Sequence, residues 1–387
     1  MSNISKEILI SGSGFAGLVS GITLKQSNIP VKIFESHHNR VKDGNRITLF
    51  PNGMKVLRLV GVADEVINSG FVIETGEIKD HFGKHLVNRS MGKKSIYGEP
   101  TVTTRRAKVH EILYNKAREL GIEIVYSKKV IEAKENDNGV ELAFEDGSKY
   151  FGSLLIGCDG INSFTRRNVL NDDFQPVYAG LMYYGGFIDD QNLINKLNLK
   201  SKTHYITVGP TNFFSYCFVD NPEFNKVPSL LWNCYLRQSD RISSIEINNF
   251  KHEDIIKKVH KAHMNWHSPI EELILNSNKV IQNSISEVTE IDNWFNGRMI
   301  VIGDAAHAQN PLFGGQGAGT ALEDAYMLAK ILEKYGDNYK LAFSTLEKLR
   351  KPRTTMIGEK SRKNSKRSTI NYNKFFLMLR NKTYSIM

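Results

Sequence analysis

The fold is decided by residues 8–18, Ile-Leu-Ile-Ser-Gly-Ser-Gly-Phe-Ala-Gly-Leu. An apolar run typical of a β-strand stops at Gly12, and a helical pattern resumes at Leu18. Between them lies the pattern G-x-G-x-x-G. Its first glycine allows a tight turn, the second lets the backbone approach a pyrophosphate, and the third lets helix and strand pack closely. The pattern predicts a dinucleotide site, whose candidate contacts are Gly12, Ser13, Gly14, Phe15, Ala16 and Gly17.

The residues that follow this motif favour the same interpretation. Residues 31–34, Val-Lys-Ile-Phe, read as a second strand, and Glu35 comes about 20 residues after the glycines, where an acid binds a ribose hydroxyl. The amide N–H groups and the positive dipole at the start of the first helix would hold the phosphates. The alternative is a glycine-rich turn that binds nothing, and the strand, helix and acid around the glycines argue against it.

A second glycine-rich segment follows a later apolar strand at residues 299–302. It begins with Gly-Asp-Ala-Ala-His at 303–307, reaches Gly-Gly-Gln-Gly at 314–317 and leads into a helix that we expect at 319–334. Bare backbone there could approach a phosphate or a flat ring, and Asp304 could accept a hydrogen bond from a ribityl hydroxyl. The alternative for Asp304 is a simple helix cap. We interpret His307 as a structural hydrogen-bonding residue and assign it no catalytic role.

Composition limits the class of protein. At 387 residues the chain is long enough for two domains, and its 41% apolar and 24% charged residues are ordinary for a globular protein. The cysteines Cys158, Cys217 and Cys234 form neither a metal-ligand spacing nor a disulfide framework. The sequence therefore predicts no metal site and a reducing, cytoplasmic location. We expect no signal peptide, and no apolar stretch approaches the ~20 residues needed to span a bilayer.

The net charge of +10 is concentrated at the C-terminus. From Arg350 onward there are 11 lysines and arginines and one acid, Glu359, so residues 1–349 are neutral in sum. A neutral body argues against nucleic-acid binding. In the last segment, basic residues at 360–367 precede an apolar cluster at 375–379. This pattern suggests either weak docking on an anionic membrane surface or a C-terminal helix packed on the body with solvated lysines.

Together these motifs resemble the FAD-dependent aromatic monooxygenases, the family of para-hydroxybenzoate hydroxylase, salicylate hydroxylase and the tetracycline-inactivating flavoenzymes. The resemblance covers nearly the whole chain. The matching segments are the glycines at 12–17, Glu35, Pro51 with Asn52, R-x-x-V from Arg106, C-D-G-I-N-S at 158–163 with Arg166, and residues 294–319.

The resemblance implies a role for each matching residue. Glu35 would bind the adenosine ribose, and Arg106 would lie along the flavin or the pyrophosphate. Asp304 would bind the ribityl chain, while Asp159 and Gly160 would support both FAD and the entering nicotinamide cofactor. The second glycine-rich segment would add further contacts to FAD, namely Pro311, Gly315, Gln316 and Gly317.

The chain departs from the family's pattern at two points. The loop from His307 to Gly317 is one residue longer than the common form. Arg46 replaces a residue that is usually small, so its side chain either contacts the cofactor or faces solvent. We count Arg46 among the candidate cofactor residues.

The implied fold is α/β, with a Rossmann-like FAD-binding domain interleaved with an antiparallel-sheet substrate domain and followed by a C-terminal helix. Residues 1–174 and 286–335 would form the FAD-binding domain, with a small sheet insertion. Residues 175–285 would form the substrate domain, and residues 336–387 the basic helical segment. Short aromatic-rich segments between 175 and 285 read as antiparallel strands. We expect helices at 103–120, including its N-terminal lead-in, and at 253–262.

The implied activity is a monooxygenase reaction. NADPH or NADH would reduce FAD, O2 would add to give a flavin C4a-hydroperoxide, and one oxygen atom would pass to a small, aromatic or polyketide-like substrate. Because the cofactor carries this chemistry, no catalytic side chain is assigned. The alternatives are a flavin-dependent halogenase or reductase of the same fold, and a flavin-binding partner protein without turnover. Candidates either for a flat apolar pocket or for the core are Tyr183, Tyr184, Phe213, Phe214 and Trp232.

Overall fold

The computed structural model describes residues 7–40, 45–170, 173–220, 228–312 and 315–368. Its strands are, in chain order, β1 Ile8–Ser11, β2 Val31–Phe34, β3 Arg46–Leu49, β4 Phe71–Ile73, β5 Thr75–Asp80, β6 His85–Ser90, β7 Thr101–Arg105, β8 Glu123–Val125, β9 Val130–Asn136, β10 Gly139–Phe144, β11 Lys149–Gly152, β12 Leu154–Gly157, β13 Val177–Ile188, β14 Thr203–Val208, β15 Phe213–Phe218, β16 Leu230–Arg237, β17 Lys279–Glu287, β18 Phe295–Asn296 and β19 Met299–Val301. Its helices are α1 Phe15–Gln26, α2 Pro51–Leu59, α3 Ala63–Ser69, α4 Lys94–Tyr97, α5 Arg106–Glu119, α6 Phe164–Leu170, α7 Gln191–Leu197, α8 Ser244–Asn248, α9 His252–Ala262, α10 Ile270–Leu275, α11 Asp304–His307, α12 Gly317–Tyr335 and α13 Tyr339–Ser368.

β1 lies inside a parallel sheet with the strand order β18-β19-β12-β1-β2-β8. It pairs in parallel with β12 on one side and with β2 on the other, as their continuous apolar runs predict. The short edge strand β18 runs antiparallel to β19. Helices α1 and α12 pack against each other over this sheet, and the shared core includes Ile8, Ile10, Leu18 and Leu322, all fully buried. The predicted α/β, Rossmann-like fold class is confirmed.

A second large sheet has the strand order β17-β13-β16-β15-β14-β5-β6. The antiparallel sheet predicted for residues 175–285 is confirmed, although β14 and β5 pair in parallel. β5 and β6 come from residues 75–90, which the sequence assigned to the FAD-binding part, so strand pairing crosses the boundary predicted at residue 174. β5 was missed because its acids make it look polar. Glu77 is in fact buried and pairs with Lys79 and Lys200 at 3.0 and 2.7 Å.

A three-stranded sheet, β3-β7-β4, lies against the seven-stranded sheet, with Phe71 and Ile73 of β4 packed on Cys217 of β15. Residues 103–105, predicted as the lead-in to a helix, are instead the end of β7, and the helix begins at Arg106. The β-branched residues at 101–104 explain the difference, since Thr and Val favour strands.

The C-terminal helix α13 packs on the body of the protein. Ala342, Phe343 and Leu346 belong to the core over the parallel sheet, and Arg350 and Ser361 farther along are also buried. The packed-helix interpretation of this segment is therefore supported up to Ser361. The apolar cluster at 375–379, on which the membrane hypothesis depends, lies outside the described residues, and nothing within them supports membrane contact. Across the described part of the chain, no helix combines the length and apolar character needed to cross a membrane.

Candidate cofactor and substrate site

The turn between β1 and α1 shows why its three glycines are needed. Gly12 has a φ of +100°, and a Cβ there would lie 2.4 Å from the carbonyl oxygen of Cys158. A Cβ on Gly17 would lie 1.9 Å from the carbonyl oxygen of Gly12, whereas a Cβ on Gly14 would meet nothing within 4 Å. Gly14 is the N-cap of α1, and no side chain caps the helix. The amide groups of the first turn therefore remain available to an anion, as the motif predicts.

Glu35 lies beside this turn, at the end of β2. Its Oε2 accepts hydrogen bonds from the backbone N and the Oγ of Ser13 at 2.9 and 2.7 Å, and its Oε1 accepts from the backbone N of His37 at 3.0 Å. Burial acts to raise the pKa of Glu35, but the hydrogen bonds from His37 and Ser13 outweigh it and lower the pKa to about 2. The carboxylate is therefore ionised at neutral pH and holds the turn in place.

A pH-dependent stability follows from this carboxylate. Because the pKa falls from 4.5 to about 2 on folding, Glu35 contributes stability that is fully present above its ordinary pKa and is lost as the pH falls toward 2. The contribution is up to about 3 kcal/mol. We expect the FAD-free Glu35→Gln variant to unfold at a lower urea concentration than the FAD-free wild type at neutral pH. The difference between the two urea midpoints should disappear in acid. Glu119→Gln, at a 66% exposed carboxylate, is the control. A difference in urea midpoint that does not change with pH would contradict the assignment of a lowered pKa to Glu35.

α5 brings two further side chains to the same turn. The guanidinium carbon of Arg106 lies 5.3 Å from the centre of the Phe15 ring. Nε2 of His110 donates a hydrogen bond to the carbonyl oxygen of Ser13 at 2.8 Å, which places the ring proton on Nε2. Burial lowers the pKa of His110, so the ring is neutral. The sequence did not single out His110. Its position one helical turn after Arg106 is the signal that could have found it.

Asp159 and Gly160 follow β12, and Asp159 lies beside Gly12. The Asp159 carboxylate accepts hydrogen bonds from the backbone N and Oγ1 of Thr165 at 2.9 and 3.0 Å, and another from Oγ of Ser163. It therefore fixes the start of α6. Gly160 has a φ of +75° and open space where a Cβ would lie. Support of FAD and of a nicotinamide cofactor by these two residues stays a prediction.

Asp304 begins the short helix α11 and is exposed. The N-cap of α11 is Gly303, no side chain caps it, and Asp304 accepts no hydrogen bond from any described residue. The simple helix-cap alternative is therefore not supported, and the carboxylate is available to a ligand.

The loop that follows α11 leaves bare backbone in the same way. Gly315 has a φ of +58°, and a Cβ on either Gly315 or Gly317 would meet nothing within 4 Å. Pro311 and Gln316 are half-buried. Gly314 lies outside the described residues, so the effect of the longer loop on flavin contacts stays untested.

The separate motifs meet in space. A Cβ on Gly303 would lie 3.3 Å from the Cβ of Ala16, so the second glycine-rich segment touches the first turn of α1. Arg166 is fully buried and donates to the carbonyl oxygens of Ile161 and Ala305 at 2.8 and 2.9 Å, which ties the loop after β12 to α11. Segments more than 100 residues apart thus form one edge of the parallel sheet, where ligands of such sheets bind.

These residues fit FAD. The open positions at Gly14, Gly315 and Gly317 leave room for backbone to approach a ligand, and the start of α1 offers amide groups to a pyrophosphate. Glu35 stands next to that helix start, and the Asp304 carboxylate has no partner among the described residues. Within the described residues, no group of three or more His, Cys, Asp or Glu could hold a metal ion.

Removal of the Asp304 carboxylate should weaken FAD retention. Hydrogen bonds to a charged group contribute ~1.5–3 kcal/mol, so Asp304→Ala should raise the dissociation constant of FAD by about 10- to 150-fold. Equilibrium titration of the refolded, FAD-free protein measures this constant directly. Asp254→Ala, at an exposed acid on α9, should bind FAD like the wild type. Equal affinity of the Asp304 and Asp254 variants for FAD would show that the Asp304 carboxylate does not bind FAD.

A buried charged network lies behind the second motif. The carboxylate of Asp324 on α12 is fully buried and accepts from the backbone N of Gly303 at 3.2 Å, Nε2 of His307 at 2.5 Å and Nε of Arg350 at 2.6 Å. Burial acts to raise the pKa of Asp324, but His307 and Arg350 outweigh it and hold the pKa below its ordinary value. The network joins α11, α12 and α13, and it confirms His307 as a hydrogen-bonding residue.

The two faces of the seven-stranded sheet differ. Successive side chains of a strand point to opposite faces. One face forms an apolar core with α7, α9 and α10, and the aromatic residues on it are core rather than pocket, namely Tyr184, Phe214 and Trp232. The other face carries Tyr183 and Phe213, and the rings of both lie 5.4 Å from that of Tyr235. Of the predicted pocket candidates, Tyr183 and Phe213 lie on this second face, outside that apolar core.

Arg46 reaches the same face from β3. It is half-buried, its Nη1 donates to Sγ of Cys217 at 3.0 Å, and its Nη2 donates to Oδ1 of Asn233. Asn233 and Tyr235 are two residues apart on β16, so the guanidinium and the aromatic rings share one face. Neither expectation for Arg46 included this contact with the sheet. Its contact with the cofactor stays a prediction.

Comparison with known proteins agrees with an FAD-binding fold. A family model described as FAD binding domain matches residues 5–338. The chain is 27% identical over 328 residues to aurachin C monooxygenase/isomerase of Stigmatella aurantiaca, covering 84% of this chain and 80% of that protein. It is 27% identical over 372 residues to 3-amino-4-hydroxybenzoate 2-monooxygenase of Streptomyces cremeus, covering 92% of this chain and 86% of that protein. The crystal structure of Klebsiella pneumoniae HpxO with FAD and uric acid has the same fold, with a TM-score of 0.84 and 21% identity over 98% of this chain and 93% of that one.

Because the matched residues make up most of the chain, the chain belongs to the FAD-binding-domain family. Within that class it is an FAD-dependent monooxygenase, and the resemblance to the FAD-dependent aromatic monooxygenases found in the sequence is confirmed.

Proposed function

We propose that this protein uses NADPH or NADH to reduce bound FAD and inserts one oxygen atom of O2 into a small, planar aromatic or polyketide-like substrate. The observation that carries the proposal is the aromatic and polar face of the seven-stranded sheet, which Arg46 contacts from the FAD-binding part. The relatives named as monooxygenases of aurachin C and of 3-amino-4-hydroxybenzoate support a planar substrate.

In this proposal the residues of the chain bind the cofactor and hold it in position. The amide groups at the start of α1 would hold the pyrophosphate, Glu35 the adenosine ribose, and Asp304 the ribityl chain. Arg106 would neutralise charge beside Phe15. Bound FAD, once reduced, supplies the activation of O2 and the transfer of one oxygen atom.

The aromatic face excludes water and supplies hydrogen-bond donors rather than a base. Burial raises the pKa of Tyr183 to about 12 and also raises that of Tyr235, so both hydroxyls keep their protons at neutral pH. Exclusion of water protects the activated oxygen from loss as hydrogen peroxide. We therefore propose that no single side chain of this face is a catalytic base, and that its aromatic residues enclose and align the substrate.

The test is the consumption of NAD(P)H by FAD-loaded protein. Without substrate we expect slow oxidation that yields hydrogen peroxide, because the activated oxygen is then lost. A panel of planar aromatic and polyketide compounds should contain members that speed oxidation and lower the peroxide yield. A flavin-binding partner protein would show no steady consumption, and a reductase would show consumption without an oxygenated product. A halogenase would be recognised by a product that gains a halogen atom.

A further inference from the structure

A small cavity lies between α11, α13 and the end of β17. Its walls are residues 287–291 with Trp294, residues 306–309, and one side of α13 between residues 351 and 362. The cavity has a volume of about 20 Å³, which holds one particle of the size of a water molecule. Glu290 in its wall is exposed and Arg362 is half-buried, so the cavity is reached from solvent.

Three side chains present hydrogen-bond acceptors to this cavity. Glu287 is 7% exposed, and its Oε2 has no hydrogen-bond partner among the described residues. Gln309 donates from Nε2 to the carbonyl oxygen of Thr354 at 3.2 Å, so the buried atom left without a partner is its acceptor, Oε1. His307 is 8% exposed and uses Nε2 for Asp324, so Nδ1 of the neutral ring is a buried acceptor that no described residue contacts as a donor.

The charge of Glu287 has no close counter-ion. Nη1 of Arg362 lies 3.9 Å from Oε2 of Glu287, beyond hydrogen-bond distance, and burial outweighs this guanidinium and raises the pKa of Glu287. The protons of a water molecule would satisfy two of the three acceptors and would leave the carboxylate charge unbalanced. An unsatisfied buried acceptor is costly, and an unbalanced buried charge is more so. The cavity therefore suits an occupant that carries a positive charge.

We propose that this cavity binds one monovalent cation of the size of a water molecule, with the Glu287 carboxylate as its charged ligand and Gln309 and His307 as its neutral ligands. Ammonium fits all three, because its N–H groups donate hydrogen bonds both to oxygen and to an imidazole nitrogen. K⁺ has a similar size and would be bound by the two oxygen ligands. The indole of Trp294 lines the same cavity, and an aromatic ring attracts a cation. Ca²⁺ and Mg²⁺ do not fit, since each takes about six or more ligands, nearly all oxygen.

Such a cation would join three segments of the chain. Glu287 ends β17, His307 ends α11, and Gln309 is tied to α13 through Thr354. The three ligands come together only in the folded protein, so a bound cation stabilises the folded state by mass action. The site is independent of the reaction proposed above, because none of its ligands needs FAD or a substrate in order to bind the cation.

The experiment is equilibrium unfolding in urea of the full-length protein with a fixed excess of FAD. Ammonium chloride is raised while choline chloride, whose cation is too large for the cavity, keeps the ionic strength constant. We expect the unfolding equilibrium constant to fall about tenfold for each tenfold rise in ammonium above its dissociation constant, as one bound cation requires. Potassium chloride should act in the same way with a higher dissociation constant, because K⁺ donates no hydrogen bond to His307.

The variants test the ligands. Glu287→Gln removes the charged ligand with little change of shape and should abolish the dependence on ammonium. Glu253→Gln, at an exposed acid of α9, should keep it. Gln309→Met removes the amide oxygen and should raise the dissociation constant of ammonium by about tenfold, which keeps the test decisive if Glu287→Gln does not fold.

Two results would overturn the cation site. One is a wild-type unfolding constant that neither ammonium nor K⁺ changes relative to choline, which would assign the cavity to water. The other is an unchanged, wild-type dependence on ammonium in whichever of the Glu287 and Gln309 variants fold.

Discussion

The Gly14→Val variant is expected to fold like the wild type and to bind no FAD at concentrations that saturate the wild type. A Cβ at this position meets nothing within 4 Å, and the φ of −67° suits any residue, so the substitution does not disturb packing. The valine would instead fill the space through which a pyrophosphate approaches the start of α1. Loss of two charge-assisted hydrogen bonds alone would weaken binding by about 100-fold or more.

The measurement is a titration of refolded, FAD-free protein with FAD, with folding checked by circular dichroism and thermal melting. Gly358→Val, in α13 and away from the motif, controls for a valine placed at a helical glycine with little crowding around it. Gly17→Ala gives the opposite contrast. Its Cβ would lie 1.9 Å from the carbonyl oxygen of Gly12, so it should damage the fold itself. Wild-type FAD affinity in Gly14→Val would show that the pyrophosphate does not bind at this turn.

The Asp324→Asn variant is expected to lose about 3–5 kcal/mol of stability in its FAD-free form, because it leaves the buried guanidinium of Arg350 without its main anion. Glu323 still contacts Arg350 at 2.6 Å, so the loss should lie toward the lower end of that range. Urea unfolding measures the change. On the same helix, Glu333→Gln removes an exposed pair with Lys330 and should cost less than about 1 kcal/mol. A similarly small cost at Asp324 would mean that the network does not hold α11, α12 and α13 together.

Local chemistry explains what could be predicted from the sequence. Some site features depend only on the strand and the helix next to them in the sequence, so a short stretch of sequence is enough to predict them. These features are the spacing of Gly12, Gly14 and Gly17, the acid Glu35 and the carboxylate of Asp304. The strands of the parallel sheet can be predicted for the same reason, because each is a continuous apolar run in the sequence.

The features that escaped prediction depend on partners far along the chain. Asp324 looks like an ordinary polar residue of an amphipathic helix until α13 brings Arg350 to it. β5 reads as polar until Lys200, 123 residues away, pairs with Glu77. Arg46 could not be placed because its partners, Cys217 and Asn233, lie on strands whose register no local pattern fixes.

The most direct test of the central claim is labelling with ¹⁸O2. It uses FAD-loaded protein, NAD(P)H and any compound of the panel that speeds NAD(P)H oxidation and lowers the peroxide yield. A monooxygenase places one atom of O2 in the product and the other in water. We expect a product heavier than the substrate by one oxygen atom, with that atom carrying the label. An oxygen atom derived from water, or a product without added oxygen, would contradict the assignment of this chain as a monooxygenase.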